Sequence, residues 1–162
     1  MSNAIDAYFQ GESAESLVFA ALGVVAISAS LYLLWRYGDA MSKGLAIPLV
    51  LVGLVQISVG ATVYLRTPRQ VVALKAQYNQ DPAGFKAEET VRMSNVMASF
   101  SVYKIIEVGF VLIGLAVTLM LGYPFWLGLG IGMLAQGALM LPADIIAEQR
   151  GTIYQSAIAR GV

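Results

Sequence analysis

The chain has 162 residues, 58% hydrophobic and 12% charged, with ten basic and ten acidic residues and a formal net charge of zero. With a mean hydropathy of +0.72 it is too apolar for a soluble domain of this length and reads as an all-α polytopic membrane protein, and the charge balance gives no pull toward nucleic acid. The absence of Cys and His excludes disulfides, thiolate metal sites, iron–sulfur clusters, His-ligated haem and imidazole general-base chemistry.

Met1 to Ser16 carries no Lys or Arg and three acids, Asp6, Glu12 and Glu15, so it lacks the basic start of a signal peptide and is expected to be retained. Leu17 to Trp35 is an uncharged apolar run, long enough at about 1.5 Å per residue to cross a hydrocarbon core of about 30 Å. Tyr32, Trp35 and Tyr37 gather around Arg36, where an aromatic belt belongs. A polar turn from Arg36 to Gly44 is expected next. Leu45 to Leu65 is the second span, closed by Tyr64, Arg66 and Pro68. Gly53, Gln56, Gly60 and Tyr64 fall on one face of it, which small residues and a buried amide should turn toward other helices.

The interval 66–104 is the only long polar stretch. Thr67-Pro68 predicts the start of a short amphipathic helix at the membrane surface, with Val71, Leu74 and Tyr78 on one side, broken at Asn79 to Pro82. A long helix then starts, with Asp81 as N-cap and Pro82 in its first turn. Along it Met93, Met97, Phe100, Lys104, Glu107, Val111, Gly114 and Thr118 recur at spacings of four and three, one stripe running from charged into oily surroundings.

Ile105 to Leu121 is the third span, with Glu107 its one charge; Gly122-Tyr123-Pro124 links it tightly to the fourth, Phe125 to Leu141. Gly128, Gly132, Gln136, Met140, Asp144 and Glu148 follow at intervals of four, placing small residues, an amide and two acids on one face. Residues 142–162 should continue as a helical tail. Gln56 and Gln136 lie 12 and 11 residues after Gly44 and Phe125, a faint trace of a duplicated hairpin, and could bond to each other in mid-membrane.

The expected architecture is therefore a single domain, a four-transmembrane-helix bundle of two antiparallel hairpins, with a cytoplasmic helical extension between the second and third spans. Eight of the ten Lys and Arg residues flank the spans on the side of both termini and the long interval, which by the positive-inside rule puts that side in the cytoplasm. In outline the chain resembles small bacterial inner-membrane proteins with two hairpins, and the resemblance implies that location.

This topology should gather Arg66, Arg69, Tyr103, Lys104, Glu107, Asp144, Glu148 and Arg150 at one depth, as an ion-pair layer or as a pocket for an anionic headgroup or small ligand. Glu107 is expected to meet Arg66 or Arg69 and to be shielded by Tyr103. Gly53, Gln56, Gly60, Gly114, Gly128, Gly132 and Gln136 are the helix-packing positions. No Gly-rich phosphate loop, nucleophile elbow or metal spacing occurs, so neither a cofactor nor a metal is expected. Small four-helix multidrug exporters carry an acid in the first helix and CDP-alcohol transferases a repeated Asp pattern; both are missing here. The sequence points to a non-enzymatic subunit that contacts the lipid bilayer and acts through a membrane or cytoplasmic protein partner or a second copy of itself. The alternative is lipid or small-ligand binding at the polar layer.

Overall fold

In the computed structural model, which describes residues 1–161, the chain is all α-helical: α1 Ser2–Arg36, α2 Ala40–Gln80, α3 Pro82–Met120 and α4 Pro124–Arg160. Each is long and apolar enough to cross a membrane. At about 1.5 Å per residue the helices run for roughly 50–60 Å, about twice a hydrocarbon core. In every helix the apolar half lies toward the turns at 37–39 and 121–123, and the polar half toward Asp81 and the chain ends.

Local chemistry sets the boundaries. Gly38 and Gly122 take φ of +60° and +59°, a left-handed backbone that stops a helix without Cβ strain. The Asp39 carboxylate accepts from the Ser42 backbone N–H at 2.7 Å, and this bond first, then the Ser42 hydroxyl, holds the Asp39 carboxyl below its usual range. The polar turn expected over Arg36 to Gly44 is thus only Tyr37 to Asp39, because that cap starts α2 at Ala40. Asp81 caps α3 as its position before Pro82 predicts, accepting from the Gly84 N–H at 2.9 Å.

The surface helix expected from Thr67-Pro68 does not form as a separate element: α2 continues through Pro68 to Gln80. Proline leaves the Tyr64 carbonyl without its helical donor. The preceding Thr67 instead turns its hydroxyl back to the Val63 carbonyl at 2.7 Å and toward Glu12 at 3.4 Å. Val71, Leu74 and Tyr78 then pack on a buried core, so the apolar side of this segment meets protein, not membrane surface.

That core belongs to the polar half. It consists of Ile5, Tyr8 and Phe9 of α1, Phe85 and Met93 of α3, and Tyr154 and Ile158 of α4. Tyr8 stacks on Tyr154 with centroids 4.5 Å apart, and Phe9 meets both edge-on. The stretch from Ser2 to Ser16 is therefore helical and built into the fold.

In the apolar half the helices pair through small residues. α1 lies on α2 where Ser16 and Ala20 meet Gly60 and Gly23 meets Gly53; the register reverses, since numbers fall in α1 as they rise in α2. The same reversal relates α3 and α4, where Gly114 meets Gly130 and Val111 meets Gly137. α2 and α4 ascend together, Gly44 against Phe125, Gly128 against Met41 and Leu45, Gly132 against Pro48. α1 reaches α4 where Gly11 meets Arg150 and Tyr8 meets Tyr154, both in the polar half, and among the described residues the backbones of α1 and α3 do not meet. The apolar halves thus lie in the order α1, α2, α4, α3. The outer pair bury 11% of their apolar windows, against 28% and 22% for α2 and α4.

Candidate functional site

The junction between the two halves carries a belt of charge. On α1, Glu12 lies 3.8 Å from Arg66 of α2, and Glu15 contacts Arg150 of α4. On α3, Lys104 donates to both carboxylate oxygens of Glu148 of α4 at 2.7–2.8 Å. One turn deeper, Glu107 is 4% exposed and its carboxyl group faces that of Asp144. Farther out, Lys75 reaches Asp6 at 2.6 Å. Every member of the two stripes is buried or half-buried, from Met93 to Thr118 on α3 and from Gly128 to Glu148 on α4, because α4 covers the α3 stripe, while the α4 stripe lies on α2 through Gly128, Gly132 and Gln136 and reaches Lys104 of α3 at Glu148.

The structure therefore brings together Lys104, Glu107, Asp144 and Glu148. It does not bring Arg66 or Arg69 to Glu107. Arg66 meets Glu12 on the opposite flank of α2, and Arg69 is exposed. Tyr103 is 50% exposed and packs edge-on against Phe100 at 6.5 Å, so it does not shield the acid. The physical reason is helix order: with α4 between them, α2 and α3 do not face each other at this level. Tyr64 likewise points outward at 44% exposure, and the inner face of α2 continues instead through Thr67. Gln56 donates to Gln136 at 3.3 Å in the buried α2–α4 contact, and Gly53, Gly60, Gly114, Gly128 and Gly132 are all buried.

A second polar cluster sits inside the aromatic core. Glu89 is 1% exposed and accepts from Arg92 Nε and Nη2 at 2.7 Å and from the Tyr154 hydroxyl at 2.9 Å. The Arg92 guanidinium lies 5.4 Å from the Phe9 ring centroid. The buried Glu89 charge is thus paired and hydrogen-bonded, and its half-buried partner Arg92 is set against an aromatic face, conditions under which burial of a charge is tolerated. Burial, and then the Glu12 carboxylate, pushes the Tyr8 phenol up to about 12; burial also pushes the Tyr154 phenol above its usual range. Both remain neutral hydroxyls at ordinary pH. Sequence reasoning missed this cluster. Its trace was present in Ile5, Tyr8 and Phe9 at helical spacing, in Glu89 and Arg92 three apart, and in Tyr154 and Ile158 four apart.

At the tip of the polar half a groove of about 250 Å³ is lined by Met1, Tyr78, Phe85, Lys86 and Ile158. The Lys86 ammonium is engaged there, donating to the Ala159 carbonyl at 2.7 Å, a favourable place for a cation at a helix C-terminus. Among the described residues no three Asp or Glu converge as a metal site would need. Comparison with protein families, curated proteins and solved structures finds no match for the chain.

Proposed function

We propose that this is a non-enzymatic four-span membrane subunit that works by binding another protein within the membrane. In this reading the spans are about 17–35, 45–65, 105–121 and 125–141, two antiparallel hairpins in a bacterial inner membrane. The polar lobe and both termini are cytoplasmic, since eight of ten basic residues lie on that side.

The observation that carries the proposal is the open helix order. The apolar half of α3 is covered by α4 on one flank only, and its free flank presents Ile105, Gly109, Leu112 and Ala116 at spacings of four and three. A Cβ placed at Gly109 would meet nothing within 4 Å, so a notch lies open where another helix can approach closely. Lipid is as apolar as Leu, so association between such helices rests on close packing at small residues. Headgroup or small-ligand binding draws less support, since Arg66, Lys104 and Arg150 are each already held by an acid.

The test is purification of the full chain in mild detergent from its native host, with a photo-crosslinking residue at Leu112. The expected result is one stoichiometric crosslinked protein, lost when Gly109 is replaced by Leu. Recovery of the chain alone, with neither a partner nor a second copy attached, overturns the proposal.

A further inference from the structure

Glu107 is the one acid in the apolar half of α3, and its side chain is turned onto α4. Both of its carboxyl oxygens are buried, and among the described residues neither receives a hydrogen bond from any N–H or hydroxyl. What lies opposite it on α4, between the Lys104–Glu148 and Val111–Gly137 contacts, is Asp144, and the two carboxyl groups face each other. Two carboxylates are acceptors only and cannot bond to each other; adding one proton makes one of them a donor. Two adjacent anions in a site with no donor would also repel at low dielectric, a state that shared-proton carboxylate pairs avoid.

We propose that Glu107 and Asp144 form a proton-binding site, holding a single proton between two carboxyl groups at the membrane boundary. The two residues divide the work by position. Glu107 is closed off at 4% exposure, whereas Asp144 is half-buried and so is the group through which a proton from water enters and leaves. The other charged groups around the pair are already committed. Lys104 of α3 is bound to Glu148 of α4, Glu15 of α1 contacts Arg150 of α4, and Arg66 of α2 lies with Glu12. Among the described residues, no unpaired cation therefore faces the pair. Loss of the proton leaves two facing anions across the α3–α4 seam, immediately next to the close Val111–Gly137 contact. The seam loosens as pH rises. The site is thus a proton-linked latch on α3, the helix whose other flank is free.

Infrared spectroscopy of the full-length protein in lipid nanodiscs reads the proton directly. At neutral pH exposed Asp and Glu are ionised, so a protonated-carboxyl C=O band isolates the pair. The expected result is one such band, equal in intensity to one carboxyl, that titrates away as pH rises. It should be lost in Glu107→Gln, whose amide supplies the donor without a proton, and in Asp144→Asn, whose amide lets Glu107 ionise. Asp144→Asn keeps the test valid if Glu107→Gln fails to fold, and loss of the band in either variant supports the site. Wild-type melting temperature should also fall with rising pH while that of Glu107→Gln stays level. The absence of a protonated-carboxyl band at neutral pH, or a band that survives both substitutions, overturns the proposal.

Discussion

The two halves of this molecule are held together by different physics. In the polar half large side chains are buried: Phe9 is 1% exposed, Phe85 2% and Tyr154 2%. In the apolar half most buried positions are Gly or Ser, and the large residues face outward, Leu119 at 74% and Ile105 at 72%. Water drives the first arrangement, because removing each large apolar side chain from it stabilises the fold by about 1.5–3 kcal/mol. Lipid provides no such drive, so the second arrangement relies on backbones that approach where no side chain intervenes. One helix can obey both rules in succession. α3 buries Phe85, Glu89 and Met93 at one end and only Gly114 deep in its apolar half, with Glu107 at the point of change.

This contrast can be broken by substitution. The largest effect is expected from Phe9→Ala, which empties a site enclosed by Tyr8, Tyr154 and the Arg92 guanidinium and should lower stability by about 3–5 kcal/mol. The same kind of truncation at Leu112, 61% exposed in the apolar half, should stay within about 0.5 kcal/mol. Denaturant unfolding in detergent compares the two; equal losses would show that the apolar half is also built on large-residue packing.

An intermediate effect is expected at Gly128. A Cβ there falls on the Met41 carbonyl oxygen, a backbone atom that cannot swing aside. Gly128→Ala should therefore push α4 from α2 and lower stability by about 1–3 kcal/mol, although it adds apolar surface. A neutral or stabilising result would mean that the seam has room the close approach does not suggest.

The smallest effect belongs to Gln56 and Gln136. Their bond is buried, but hydrogen bonds between membrane helices average only about 0.6 kcal/mol in double-mutant cycles. Replacing each by Leu, singly and together, should return a coupling of that size. A coupling of several kcal/mol would make this amide pair, not the glycines, the main α2–α4 fastener.

The four apolar spans, the stops at Asp81 and at 121–123, and the buried stripes of α3 and α4 were legible in the sequence. These are properties of one helix at a time: hydrophobic length, a cap residue, a left-handed glycine, a repeat of three or four. The Gln56–Gln136 contact was legible for the same reason, since each amide lies on a face of small residues. The continuation of α2 through Pro68 was not, because a proline reads locally as a break and only the core beneath Val71, Leu74 and Tyr78 carries the helix past it. Nor did spacing reveal that Met1 to Ser16 supplies three of the seven core residues, or that Glu107 faces Asp144 while Arg66 faces Glu12. Those pairings depend on α4 lying between α2 and α3. Helix order is decided by which seams fit closest across the whole chain, and no repeat within a single helix encodes it.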